Sequence, residues 1–175
     1  MKKLFRMLIM AAVAVPSTFG CAKTQADNGP IKEAIWAQAD RIEYYFGDSS
    51  TPPDYHRSYS LTVTKTEARI VVDSYGTTLL DKTYKLKSGQ FAKVVAELQK
   101  LGIRSKKKQK GTPCCGGTTE SFYLYAGKEK LFNGYQDNCE ERLSTMVVGT
   151  EAIPRVLGTV FPKTVDELVD STRKH

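Results

Sequence analysis

The chain has 175 residues, with 26 basic and 19 acidic side chains, two histidines and four cysteines. Hydrophobic residues make up 41% and charged residues 26%, an ordinary globular composition that excludes disordered and collagen-like chains. The length favours one domain. Because one of the two histidines is the terminal residue, His-rich metal chemistry is not expected.

The first 21 residues have the three parts of an export signal. Residues 1–6 include three basic side chains, residues 7–15 are apolar, and residues 16–20 are small or helix-breaking. The apolar run is too short for a helix that spans a bilayer, which needs roughly 17–25 residues. We therefore expect a signal peptide over residues 1–21, not a transmembrane anchor.

Cys21 directly follows Gly20, and this ending resembles the lipobox of bacterial lipoproteins. Thr18 and Phe19 depart from the Leu and the small residue that usually precede Gly in that motif. The resemblance implies cleavage before Cys21, acylation of this cysteine and attachment to a membrane. It covers only the signal segment.

The same resemblance implies a place in the cell. Ala22 after the cysteine favours sorting to the outer membrane of a Gram-negative cell, facing the periplasm. The alternative is ordinary cleavage, for instance after Ala26, which would give a soluble periplasmic or secreted protein. For residues 31–175 we recognise no family.

The positive charge of the mature chain is concentrated in one segment. Without the signal, 23 basic and 19 acidic side chains leave a formal charge of +4. Five of these cations lie within residues 104–110, and without them the charge is −1. They are Arg104, Lys106, Lys107, Lys108 and Lys110.

This basic segment predicts contact with an anionic partner, and the alternative is a solvated loop. The candidate partners are an envelope protein, acidic lipid headgroups and an anionic envelope polymer. Nucleic acid is not expected, because an exported protein rarely meets it and no aromatic residues alternate with the lysines.

After a polar, turn-rich tether over residues 22–30, we expect one globular domain over residues 31–175. Short helical spacing follows at residues 31–39. Alternating apolar residues then predict four strands joined as an antiparallel meander. These strands are expected near residues 41–46, 59–64, 69–75 and 78–86, with a loop over 47–55.

The clearest element is a helix over residues 89–101, with apolar residues every three to four positions. We expect Ser88 to cap its start and Gly102 to form a left-handed C-cap. A hairpin turning at Gly127-Lys128 follows, and then two C-terminal helices, the last opened by a capping box at Thr164. The predicted fold class is α+β, an antiparallel sheet of about six strands with the helices on one face.

Export implies an oxidising compartment, so we expect a disulfide among the three cysteines outside the signal. A three-residue hairpin loop over 126–128 would place Cys115 directly opposite Cys139. The sequence thus favours Cys115–Cys139 over Cys114–Cys139 and leaves Cys114 as a free thiol. Nearby cations would raise its thiolate fraction and make it reactive. The alternative is that Cys114 is a small, buried and unreactive side chain.

Aromatic residues gather around the loop after the first strand, and this composition suits partner or sugar recognition. The alternative is that they fill the core. They are Tyr44, Tyr45, Phe46, Tyr55 and Tyr59. His56 is the only internal histidine, and we expect it at the surface.

No known nucleophile, zinc, phosphate-loop or dinucleotide motif occurs in the sequence. We therefore expect a non-catalytic, envelope-anchored binding protein without cofactor or metal; an inhibitor or immunity protein is one concrete version. Two alternatives remain. One is a thiol-based redox or metal-handling protein centred on Cys114-Cys115, and the other is a purely structural envelope lipoprotein.

Overall fold

The computed structural model describes residues 28–112, 114, 116–149 and 151–173. The signal peptide, Cys21 and Cys115 lie outside this range. Within it, the chain forms nine strands and four α-helices. The strands are β1 (Gly29–Pro30), β2 (Arg41–Gly47), β3 (Ser58–Thr64), β4 (Glu67–Ser74), β5 (Thr77–Lys85), β6 (Arg104–Ser105), β7 (Thr119–Ala126), β8 (Glu129–Asp137) and β9 (Met146–Val147). The helices are α1 (Glu33–Gln38), α2 (Gln90–Lys100), α3 (Ala152–Gly158) and α4 (Val165–Asp170).

Six strands form the main antiparallel sheet in the order β5-β4-β3-β2-β7-β8. The meander from β2 to β5 makes one half, and the β7–β8 hairpin joins it because β7 pairs with β2. A second sheet of three short strands has the order β1-β6-β9. The predicted α+β class, with a six-stranded antiparallel sheet, is confirmed.

The helices cover one face of the main sheet, because alternate strand residues are apolar. Ile42 lies between Val63 and Leu124 in register, and all three are fully buried. Trp36 of α1 contacts Phe122 with ring centroids 6.2 Å apart. These residues belong to one continuous hydrophobic cluster that also includes α2, α3 and α4.

Helix α2 packs on this face through Phe91, Val94 and Leu98, as its periodicity predicts. Gly102 follows with a φ of 63°, in the left-handed region expected of a C-cap. The predicted Ser88 cap is wrong. Gly89 precedes the helix in a left-handed conformation, and Gln90 Oε1 instead accepts a hydrogen bond from the backbone N–H of Lys87.

The two C-terminal helices are shorter than their sequence patterns indicate. Helix α3 ends at Gly158, and a turn brings Phe161 edge-on to Tyr84 of β5, with ring centroids 5.6 Å apart. The capping box of α4 is confirmed: Thr164 accepts from the N–H of Glu167, whose carboxylate accepts from the N–H of Thr164. Residues 151–173, which contain both helices, form the α3–α4 arm.

The disulfide joins Cys114 to Cys139, which corrects both the favoured Cys115–Cys139 pairing and the expected free thiol at Cys114. The expected pairing rested on a hairpin register that the strands do not have. Its turn has two residues, and a bulge between Leu124 and Tyr125 shifts the pairing further, so that Thr119 lies opposite Asp137. Continuing that register places Gly117 against Cys139.

Candidate functional site

A cleft of about 840 Å³ lies between the main sheet and the α3–α4 arm. Phe46 at the end of β2 and Tyr59 in β3 line its sheet side. The residues between Glu151 and Arg173 supply the opposite wall. The volume falls within the range of roughly 300–1,000 Å³ that is typical of small-molecule sites.

Aromatic rings form the floor of the cleft. Phe46 stacks on Tyr59 with centroids 5.1 Å apart and planes 20° apart. Tyr44 lies beneath them, with its ring centroid 6.1 Å from that of Tyr59. An apolar floor with a phenol hydroxyl suits a ligand that has both apolar and polar parts.

A buried carboxylate supports this floor from below. The Tyr44 hydroxyl donates to Glu120 Oε2 at 3.0 Å, and Asn138 donates to Oε1 at 3.3 Å. Glu120 is only 1% exposed. Burial raises the pKa of Tyr44 far above its usual range, and the neighbouring Tyr59 and Glu120 raise it further.

Acidic side chains act on the Tyr59 hydroxyl at the floor of the cleft. Burial raises the pKa of Tyr59 well above its usual range; the adjacent Tyr44 hydroxyl opposes this. The carboxylates of Asp166, Glu120 and Glu151 add to the increase. Because these acidic groups disfavour a negative charge on the Tyr59 hydroxyl, they favour a cation next to it.

The rim of the cleft carries charged side chains of both signs. Nine charged residues line it, and the only ion pair that the described structure shows between two of these nine joins Asp170 to Arg173, at 2.9 Å. Glu151, Arg155 and Lys163 are exposed. The rim can therefore offer both a carboxylate and a cation to a ligand without first breaking an internal pair.

Arg57 holds the loop after β2 to the end of α4. Its guanidinium donates to the hydroxyl of Thr172 at 2.8 Å, to the carbonyl of Thr172 at 3.1 Å and to the carbonyl of Pro53 at 3.3 Å. Its backbone N–H donates to Asp48 Oδ2. Arg57 is 5% exposed, and no carboxylate of the described residues lies within ion-pair distance.

The expectation of a surface histidine is wrong. His56 is 6% exposed and stacks on Tyr75 with centroids 4.0 Å apart. Its Nε2 lies 3.4 Å from the Ser58 hydroxyl, and Nδ1 has no partner among the described residues. Among the described residues no carboxylate contacts the ring, which packs against Tyr75 and Ser58.

The aromatic group expected to form one surface is divided by the fold. Tyr44 and Tyr59 are buried, Phe46 lines the cleft, Tyr55 is 66% exposed on the loop, and Tyr45 points to the opposite face of the sheet. On that face, Arg41 lies over the Tyr125 ring at 4.1 Å. The core alternative thus holds for two of the five rings.

The basic segment of residues 104–110 begins in β6, between β1 and β9. Lys106 pairs with Glu141 at 2.9 Å, beside a small depression of about 160 Å³. The structure does not bring the segment into contact with the lining of the 840 Å³ cleft. The two candidate surfaces are separate.

Glu120, Arg57, Asp48 and the α3–α4 arm are the parts of the cleft that sequence reasoning missed. Glu120 had a usable signal, because it occupies an inward position in the alternation of residues 120, 122 and 124. A carboxylate at a core position usually has a specific partner. Arg57 and the arm had none, since their contact spans 115 residues of sequence.

No group of three or more His, Cys, Asp or Glu side chains is arranged to hold a metal ion in the part of the chain that the structure describes. Over the same residues, no helix is long and apolar enough to cross a membrane. No protein-family model matches the chain, and comparison with curated proteins and with solved structures finds no similar protein.

Proposed function

We propose that this chain is an exported, lipid-anchored binding protein without catalytic activity, and that its cleft takes a short peptide with both an ammonium group and a carboxylate. Such groups occur together on the peptide stems of a bacterial cell wall. The observation that carries the proposal is the rim: exposed charges of both signs, of which only Asp170 and Arg173 pair with each other among the described residues, around an aromatic floor.

The charges also suggest how the ligand is oriented. Its ammonium group would lie over the Phe46–Tyr59 stack, near Asp166 and Glu151, where aromatic faces and carboxylates both attract a cation. Its carboxylate would face Arg155 and the buried edge of Arg57, because guanidinium groups bind carboxylates well.

The backbone at the rim supports a role in binding. Glu151 has a φ of 59°, a left-handed conformation that non-glycine residues seldom adopt. Such strained residues tend to occur at functional sites. Here the conformation starts α3 and places the Glu151 side chain on the cleft.

Calorimetric titration tests the ligand class. The probes are a soluble disaccharide-peptide fragment of cell wall and the same disaccharide without its peptide. We expect only the first to bind, and we expect Asp166→Asn and Arg155→Gln each to weaken it about tenfold through loss of a charged contact. Asp81→Asn and Arg69→Gln, an ion pair outside the cleft, are the matched controls.

Equal affinity for the sugar alone, or wild-type affinity in both cleft variants, would contradict the peptide ligand. Anchoring has its own test, the intact mass of protein purified from native membranes. We expect a chain that begins at Cys21 and carries acyl groups, with one thiol open to alkylation before reduction and three after it. A lipid-free mass would refute the anchor and leave the cleft proposal standing.

A further inference from the structure

The basic segment lies where the tether enters the folded domain. The backbone N–H of Lys107 donates to the side-chain oxygen of Asn28 at 2.7 Å. Gly29 lies opposite Ser105 in the β1–β6 pair. The lysines are therefore adjacent to the first residues that the structure describes.

Only seven residue steps separate Asn28 from Cys21. Because an extended chain spans at most about 3.6 Å per residue, these steps reach no further than roughly 25 Å. If Cys21 is anchored in a membrane, this short tether would thus hold the basic segment close to the membrane surface. The sequence alone does not reveal that the tether enters the fold beside the basic segment. This position links the segment to the proposed anchor.

The backbone of the segment is fixed at several points. Lys106 N–H donates to the carbonyl of Thr145 at 2.9 Å, and Gln109 N–H donates to that of Arg142 at 2.8 Å. Gly111 packs so closely on Glu140 and Leu143 that a Cβ there would lie 3.1 Å from Glu140 Cγ. Because the backbone is already ordered, binding through these side chains costs less entropy than in a free loop.

The nearby acids do not neutralise the segment. Glu141 pairs with Lys106, and Glu140 pairs with Arg142 at 2.7 Å. The remaining four cations are exposed, and none forms an ion pair with a described residue. They are Arg104, Lys107, Lys108 and Lys110. Because all four side chains are cations, each of them attracts anions.

We propose that the basic segment lies against the anionic lipid headgroups of the membrane that holds the anchor, and so orients the domain on that surface. This inference rests on the proposed anchoring through Cys21. Headgroups are favoured over a shaped anionic ligand, since the depression beside Lys106 and Lys107, about 160 Å³, is smaller than a typical ligand site. A lipid chain and a polybasic patch together give stable attachment where one alone is marginal.

The test removes the lipid and keeps the segment. Mature chain with Cys21→Ser is mixed with vesicles of phosphatidylcholine alone or with added phosphatidylglycerol, and the bound fraction is measured by sedimentation. We expect binding to the anionic vesicles only, falling as salt is raised. Replacing Lys107, Lys108 and Lys110 by Gln should weaken it at least tenfold, because each surface lysine contributes to the attraction.

The matched control replaces by Gln three exposed lysines in and just after the edge strand β5, namely Lys82, Lys85 and Lys87. It removes the same charge and should retain most of the binding. Equal loss in both triple variants, or equal binding to neutral vesicles, would overturn the proposal. So would tighter binding to soluble polyaspartate than to the vesicles, which would assign the segment to an acidic protein.

The same variants separate this inference from the cleft. Titration of the disaccharide-peptide fragment with the Lys107, Lys108 and Lys110 variant should give the wild-type affinity. If the vesicle result fails while the cleft ligand still binds, only the headgroup contact is lost. If the cleft ligand fails while lysine-dependent vesicle binding persists, only the peptide proposal is lost.

Discussion

The cleft and the basic segment both carry exposed charges that lie outside the internal ion pairs of the described structure, but in opposite ways. The cleft sets acidic and basic side chains around an aromatic floor in about 840 Å³. The basic segment sets cations of one sign on an open surface beside the entry of the tether. Mixed charge in a concave site selects a small ligand that carries both signs, whereas uniform charge on an open surface attracts an extended anionic one.

The two regions also differ in what holds them. The cleft depends on packing and on Arg57, which joins the loop after β2 to the end of α4. The basic segment adjoins the disulfide, because Glu140, which packs on Gly111, directly follows Cys139. A change to Arg57 should therefore affect mainly the cleft, and a change to the disulfide should affect mainly the basic segment.

The largest effect is expected from Cys139→Ser. The disulfide closes a loop between residues 25 apart in sequence, and loss of such a link costs about 3 kcal/mol in the chain-entropy description. Urea unfolding of non-reduced protein measures the change. Cys115→Ser is the control and should leave the free energy of unfolding unchanged. A larger loss in Cys115→Ser than in Cys139→Ser would contradict the Cys114–Cys139 pairing.

A somewhat smaller loss is expected from Arg57→Met. The substitution removes the guanidinium donors to the carbonyls of His56 and Thr172, and buried groups that lose their donor cost about 2 kcal/mol. Thermal unfolding with a cleft titration measures both consequences, since the arm should loosen and ligand affinity fall. Arg69→Met, which breaks an ion pair about half exposed, should cost much less, because solvent screens the pair. Equal losses would show that Arg57 does not hold the arm.

The architecture could be predicted because its signals are local. Alternation in residues 59–64 and 69–75 fixes which side chains face the helices, and Leu61 opposite Ile70 confirms it. The α2 stripe and the Thr164–Glu167 capping box act within single helical turns. Such patterns are local enough to be recognised without the rest of the chain.

The candidate sites could be predicted only in part, because they depend on contacts that are distant in sequence. The bulge at Leu124/Tyr125 shifts the hairpin register on which the expected cysteine pairing rested. Burial of His56 depends on Tyr75, and the role of Arg57 depends on Thr172. The basic segment was visible as composition, but its position beside Asn28 required the β1–β6 pairing.

The next effect in size is a loss of stability at alkaline pH, which arises from two tyrosines at the cleft. Burial raises the pKa of Tyr44 and Tyr59 in the folded state. Above the unfolded value, near 10, the unfolded chain therefore loses protons that the folded chain retains, and stability falls by about 1.4 kcal/mol per pH unit for each tyrosine. Below pH 10 this stabilisation is fully present.

Urea unfolding between pH 9 and 11, followed with tyrosinate absorbance, measures this slope; these limits bracket the usual tyrosine pKa of about 10. Two of the nine tyrosines should ionise only as the protein unfolds. Tyr44→Phe removes one titrating group and should reduce the slope by about half. An unchanged slope in that variant would show that Tyr44 ionises in the folded protein.

The smallest effect, and the most direct separation of the two regions, is the response of the cleft to salt. A ligand with one ammonium and one carboxylate has no net charge, so its long-range attraction to the protein is weak. Its contacts lie well within a screening length, so raising the salt from low to physiological concentration should weaken cleft binding only about threefold. Vesicle binding by four uniform cations should fall tenfold or more over the same range, since each counterion released adds to the dependence. Parallel titrations of one protein sample with the cell-wall fragment and with anionic vesicles measure both slopes. Equal slopes would mean that the cleft also acts through net charge, and the distinction between a shaped mixed-charge site and a uniform basic surface would be lost.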